Sequence, residues 1–131
     1  MGDAVVASGL VVYALELPRV RAFYAQVFGA VPTHEDDTHA VLALGGFELI
    51  VHAIPAEHAE GITIAAPPEP REAQALKPTF TLAGGLAALD ALEGRVEAWG
   101  GRLLGPRWPL GAAVVRGVCD PEGNVLQVRA G

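Results

Sequence analysis

At 131 residues, with 51% apolar residues, the chain has the size and composition of one globular domain, and its formal charge of −6 comes from nine Lys and Arg against fifteen Asp and Glu. The basic residues form no stripe or cluster, which argues against nucleic acid and anionic membrane as partners, since both demand concentrated positive charge. No run approaches the roughly 18 apolar residues of a membrane span, and Met1 to Gly9 has no basic segment followed by an apolar one, so a cytoplasmic location is expected.

The first element is a valine-rich run from Leu10 to Leu15, short enough for a strand buried on both faces. Pro18 follows where a first helical turn would begin. Val20, Phe23, Val27 and Phe28 then recur at helical spacing, Tyr24 flanks the stripe, and Gly29 supplies a left-handed C-terminal cap. Val31 to His52 reads as three short strands. The polar stretch His34 to Thr38 turns between the first two, and Gly45-Gly46 is a two-residue hairpin signal between Val41–Leu44 and Phe47–His52. The first half is therefore βαβββ.

The stretch Ala53 to Pro78 carries five of the ten prolines and one β-like patch, Ile62 to Ile64. So long a structureless connection inside a domain is unusual, so part of it is expected to pair as an extra strand or to cover something. The βαβββ order then repeats. Phe80 to Leu82 is a strand; Leu89, Leu92, Val96 and Trp99 recur at spacings of three and four and end at Gly100-Gly101. Leu103-Leu104, Ala112 to Val118 and Val125 to Val128 are three more strands, the last two joined by the tight turn Asp120-Pro121-Glu122-Gly123-Asn124. The expected organisation is one domain over 1–131, with module one at about 9–54, a linker at about 55–76 and module two at about 77–130. Cys119 is the only cysteine, which excludes an internal disulfide; no activating base stands near it in sequence, and a free cysteine is most often a small buried hydrophobe.

Three segments, LVVYALELPRVRAFYAQVFG, LALGGFELIVH and CDPEGNVLQV, together resemble the vicinal oxygen chelate superfamily of glyoxalases, bleomycin-resistance proteins and extradiol dioxygenases. The resemblance covers nearly all of the chain. It implies an α+β fold in which two βαβββ modules form a U-shaped mixed sheet around a cavity, with helices on the outer face. Enzymes of that superfamily hold a divalent metal through side chains at four inward-facing strand positions, usually His, Gln or Glu. Carried over by register, those positions fall at Gly9, Glu48, Lys77 or its neighbour Pro78, and Gln127. Only Glu48 and Gln127 can coordinate, and one carboxylate with one amide would leave an ion mostly hydrated. No metal cofactor is therefore expected; the alternative is a divalent ion held by Glu48 and Gln127.

His52 shares a strand face with Glu48 but lies about 13 Å from it along an extended strand, too far to chelate one ion with it. His34 and His39, with Glu35, Asp36 and Asp37 between them, form another ligand-rich stretch, for which a solvated hairpin turn is the expected reading. Alternation directs Val11, Tyr13 and Leu15, then Glu48, Ile50 and His52, then Thr79 and Thr81, and finally Val125, Gln127 and Arg129 into the cavity. Trp108, in the loop Pro106 to Gly111, offers a flat aromatic surface. A mostly apolar wall with a few polar groups suits a small molecule. The candidate ligand-binding set is Val11, Tyr13, Glu48, Ile50, His52, Thr79, Trp108 and Gln127.

The leading expectation is a metal-independent binding protein of the bleomycin-resistance type, with an apolar, mildly acidic cavity for an apolar or cationic molecule. The alternative is a glyoxalase-like lyase or isomerase, or a dioxygenase, using a divalent metal in a rearranged site, or a metal-free catalyst in which Tyr13 and His52 exchange protons. A third reading is a module that only associates. Under all three a homodimer is expected, since small domains of this kind pair through sheet edges or exchanged modules.

Overall fold

The computed structural model describes residues 4–131. These residues form two compact units, one ending at Ile62 and the other beginning at Thr63. The connection between the two modules is thus divided between them.

The first unit contains β1 (Gly9–Ala14), α1 (Leu17–Phe28), β2 (Val31–Glu35), β3 (His39–Leu44), β4 (Phe47–Ala53) and a single helical turn, α2 (Ala56–Ala59). Its sheet has the order β1-β4-β3-β2, with β1 parallel to β4 and the other pairs antiparallel. Helix α1 starts with Pro18 in its first turn, where a missing N–H costs nothing. It stops at Gly29, whose φ of 72° is the left-handed region that a residue without Cβ enters freely. Along the helix Leu17, Val20, Phe23, Tyr24 and Val27 are buried, and the helix lies over β3 and β4. The sheet answers with Val12, Ala14, Ala40, Leu42, Leu49 and Val51, all buried. Each fully buried Leu, Val or Phe contributes about 1.5–3 kcal/mol from the water-exposed area it removes.

The second unit contains β5 (Thr79–Thr81), α3 (Gly85–Ala98), β6 (Arg102–Leu110), β7 (Ala113–Cys119) and β8 (Val125–Ala130). Its sheet, β5-β8-β7-β6, reproduces the pairing of the first: the opening strand is parallel to the closing one and the rest is antiparallel. Leu89, Leu92 and Val96 of α3 are buried with Leu126 and Val128 of β8. Asp90 and Glu93 of α3 fork onto Arg107 of β6, and Glu93 also holds Arg116 of β7 at 2.8 Å. Helix and sheet are therefore joined by charge as well as by apolar packing.

Several elements differ from the sequence reading. The first strand alternates exposed and buried residues and is covered on one face only, because α1 lies on one side of it. The polar turn is shorter than expected, since His34 and Glu35 pair with Val41 and Ala40 as part of β2. Trp99 caps α3 and is 42% exposed, so it is not in the helix's buried stripe. The sixth strand runs on to Leu110 and takes Trp108 out of a loop; Pro106 and Pro109 fit there because β6 is the sheet edge and its register shifts between Leu104 and Trp108. Ile62 to Ile64 is not a strand.

The linker reaches the second sheet through side chains. Gln74 acts as a stand-in for a peptide group: its Oε1 accepts from the Val125 N–H at 2.7 Å, and its Nε2 donates to the Val125 carbonyl. The Arg71 N–H donates to the Gly123 carbonyl at 3.0 Å. A Cβ at Gly123 would stand 2.1 Å from the Glu69 carbonyl oxygen, and its φ is +86°, so glycine is required twice over.

Candidate functional site

With α1 on one side, strand register arranges the other face of the first sheet in three rows. Gly9, Glu48 and Ala43 form the first row; Val11, Ile50 and Val41 the second; Tyr13, His52 and His39 the third. The chemistry changes along the strands from a carboxylate through an aliphatic band to a phenol and imidazoles. Glu48 is exposed, as are Val11 (45%) and Tyr13 (59%), while Ile50 and His52 are half-buried. At the carboxylate end lies a groove of about 450 Å³ lined by Ala7, Ser8, Gly9, Thr33, Val41 and Ala43, closed by Gly46, Phe47 and Glu48.

The tight turn decides this arrangement. Gly45 and Gly46 both have positive φ, 56° and 78°, as a two-residue hairpin of this twist needs. Counting outward from it pairs Leu44 with Phe47, Ala43 with Glu48 and, at the far end, His39 with His52. The register alone brings these two histidines side by side. Their rings are stacked, with centroids 5.9 Å apart, and the Tyr13 ring lies 5.7 Å beyond His52. The His52 Nδ1 is 2.8 Å from the Ala53 carbonyl, an acceptor, so Nδ1 carries the proton and Nε2 the lone pair.

In the second module Thr79 stands opposite Gln127 and Thr81 opposite Arg129, with Val115 beyond Arg129 and Trp108 beyond Val115. Thr79, Gln127, Arg129 and Trp108 thus share the sheet face turned away from α3. Trp108 is 43% exposed and Gln127 half-buried. The Arg129 Nε is buried without a hydrogen-bond partner.

No family model and no curated protein sequence matches this chain. Solved structures do. A glyoxalase/bleomycin resistance protein/dioxygenase family enzyme from Burkholderia phytofirmans is 20% identical, with a TM-score of 0.71 over 93% of this chain and 95% of the other. A lactoylglutathione lyase from Agrobacterium tumefaciens is 23% identical, with a TM-score of 0.64 over 100% and 96%. A fosfomycin resistance protein from Listeria monocytogenes is 15% identical, with a TM-score of 0.67 over 100% and 95%. This chain has the vicinal oxygen chelate fold.

Within that fold, the positions that the resemblance assigns to metal ligands hold a poor donor set. Gly9 has no side chain, and the space for one is missing, since a Cβ there would stand 2.5 Å from the Glu48 carbonyl oxygen. The third position needs correction. Glu48 takes its backbone partners from Ser8 and Gly9, and Gln127 takes the matching ones from Pro78 and Thr79. Thr79, and not Lys77 or Pro78, is therefore the residue beside Gln127; Lys77 precedes the strand. The first module brings one carboxylate, and the second one amide beside a neutral hydroxyl; neither set fits a tightly held divalent ion, which needs several donors of suitable charge to replace its water.

Two other sequence features are structural. In the DPEGN turn, Asp120 is buried and its Oδ1 accepts from the N–H groups of Glu122 and Asn124 while Oδ2 accepts from the Asn124 side chain. Cys119 beside it is buried, and burial, followed by the Asp120 charge, pushes its thiol up to about 11, so it is no nucleophile at neutral pH. At the other end of the first sheet, Asp36 organises the turn between β2 and β3. Its Oδ1 accepts from Thr38 Oγ1 at 2.7 Å and from the N–H groups of Thr38 and His39, and its Oδ2 lies 2.8 Å from His34 Nε2. The Thr38 hydroxyl first, and His34 second, hold its carboxyl far below the ordinary carboxylate range. Among the described residues no helix is long and apolar enough to cross a membrane.

Proposed function

We propose that the chain is a metal-independent small-molecule-binding protein of the bleomycin-resistance type, which takes a flat apolar or cationic ligand on the face of its first sheet turned away from α1. The observation that carries this reading is the pairing of Gly9 with Glu48. The strand contact at Gly9 leaves no room for a ligand side chain, while Glu48 faces a groove of about 450 Å³, within the range of small-molecule sites. Glu48 supplies charge at one end, and Val11, Ile50 and Val41 supply the apolar surface along which a ring system can lie. Tyr13 and His52 supply aromatic edges and a polar anchor at the other end. In the second module Trp108, Thr79 and Gln127 offer the same mixture of one flat ring and a few polar groups.

The chain's net charge of −6 favours a cation modestly and in a salt-dependent way. The exposed apolar side chains Val31 and Leu110, each on an edge strand, support a homodimer as the working form. The test is a thermal-shift screen of aromatic cations and neutral aromatics, followed by calorimetric titration of each hit against Glu48→Gln. Binding that weakens about tenfold in Glu48→Gln for cations, and not for neutral rings, is the expected result. A screen in which no compound raises the melting temperature, or hits indifferent to both Glu48→Gln and Tyr13→Ala, overturns the reading.

A metal-dependent lyase, isomerase or dioxygenase is the second reading. The solved neighbours include a lactoylglutathione lyase, and a variant of the Listeria protein is complexed with manganese(II). Elemental analysis of protein purified without chelators separates the two, since this reading requires about one ion per chain that disappears in Glu48→Ala and Gln127→Ala.

A further inference from the structure

We propose that the tip of the β2–β3 hairpin is a divalent metal site, formed by His34, Asp36 and His39 and selective for borderline ions such as zinc(II), nickel(II), cobalt(II) and copper(II). It is separate from the positions at Gly9 and Glu48, since Glu48 lies at the opposite end of β4 from His52, about 13 Å away by strand rise.

The three side chains each present one ligand atom, and these atoms lie within 4.8 Å of one another. Bonds of about 2.1 Å to nitrogen or oxygen place octahedral neighbours about 3.0 Å apart and opposite ligands about 4.2 Å apart. His34 Nε2 and Asp36 Oδ2, at 2.8 Å, already have close to the spacing of two neighbouring ligands, and the rings of His34 and His39 are 4.9 Å apart. The His39 nitrogen nearest Asp36 is Nδ1, 3.3 Å from Asp36 Oδ1, so an ion taken by Nε2 requires the His39 ring to swing, at a turn whose residues are exposed or half-buried.

Proton positions favour the same use. Thr38 Oγ1 has a single hydrogen, and it goes to Asp36 Oδ1, which has none to give. Thr38 Oγ1 must then accept from the His39 Nδ1 2.9 Å away, which fixes Nδ1 as protonated and leaves the Nε2 lone pair free. A ligating imidazole whose other nitrogen donates to an oxygen, itself hydrogen-bonded to a carboxylate, is what orients histidines toward metals. The Asp36 Oδ1 is occupied by the turn's own N–H groups, so Oδ2 is the oxygen left for an ion; His34 then gives its Nε2 proton to solvent and carries one at Nδ1 instead, which frees the Nε2 lone pair to ligate.

Two imidazoles and one carboxylate select nitrogen-seeking first-row ions over magnesium and calcium, which require mainly oxygen. Three protein ligands leave positions open to water or to a ligand atom. His39 also stands in register with His52, whose Nε2 lone pair is the next nitrogen along the row.

The test uses the untagged, metal-stripped full chain. Calorimetric titration with zinc and nickel is paired with cobalt(II) absorption, and magnesium serves as the hard-ion control. We expect one ion per chain, loss of at least about tenfold in affinity in His39→Ala and in Asp36→Asn, and an unchanged affinity in Glu48→Gln. Nitrogen-detected histidine NMR of the unsubstituted chain gives a reading free of folding effects: zinc should move the ring signals of His34 and His39 and leave His58 in place. Zinc and nickel binding no tighter than magnesium, binding lost in Glu48→Gln but kept in His39→Ala, or unmoved His34 and His39 rings would each overturn the proposal.

Discussion

Gly9→Ala measures directly why the first module has no ligand side chain beside Glu48. In a strand with space around it, replacing glycine by alanine stabilises by about 0.5–1 kcal/mol, because the unfolded chain loses freedom. Here the new methyl would stand 2.5 Å from the Glu48 carbonyl oxygen and 3.3 Å from the Glu48 Cβ. The obstacle is backbone, which cannot rotate away, so β1 must move off β4 at a cost of about 1–3 kcal/mol. The net is a destabilisation of about 1 kcal/mol, or about 3–5 °C in melting temperature for a chain of this length. Gly94→Ala supplies the opposite sign on the same protein. Gly94 lies inside α3 with nothing within 4 Å of its would-be Cβ, so alanine there should stabilise by about 0.5–1 kcal/mol. Urea denaturation of both variants beside the parent decides the matter. If Gly9→Ala is as stabilising as Gly94→Ala, the close approach is not real and the argument against a side chain at this position collapses. By the same reasoning Gly9→His should be destabilised and should gain no metal at Glu48.

Gly123→Ala should cost about 2–4 kcal/mol, from its left-handed φ and the clash with Glu69 together, and should open the segment 63–77 to limited proteolysis; Gly29→Ala, with similar φ and open space, should cost only about 1 kcal/mol. Gln74→Ala should expose the same segment without the strain, and unchanged cleavage would show that the amide bridge to Val125 does not hold it. Glu93, whose carboxyl is held below its ordinary 4.5 by hydrogen bonding to Arg107 and then Arg116, against a desolvation cost, binds protons less readily folded than unfolded. Its contribution is complete above the unfolded value and fades as pH falls below about 4.5, so the stability gap between the parent and Glu93→Gln should narrow on acidification; a gap that stays constant in denaturation curves from pH 7 to 3 would refute this.

The local devices were legible in the sequence. Pro18 and Gly29 bracket α1 because one lacks an N–H and the other lacks a Cβ, and both properties act wherever those residues occur. Gly45-Gly46 fixed a hairpin, and with it the pairing of His39 with His52, which counting outward from the turn would have given. Glu48, Ile50 and His52 were placed on one face by alternation alone. What did not follow was anything set by long-range contact. The residue beside Gln127 is Thr79 because the parallel β5–β8 register is fixed by strand docking, with no hairpin to count from. Trp108 became part of a strand because an edge position tolerates the prolines around it. The linker's attachment through Gln74 has no periodicity to detect, since a side-chain amide takes the part of a backbone strand. The sequence determined by itself the two βαβββ modules and the chemistry carried on their strands, because turns, caps and alternation are properties of neighbouring residues. Only the tertiary structure decided that Gly9 has no room for a ligand and that His34, Asp36 and His39 converge, because both depend on how closely separate strands approach.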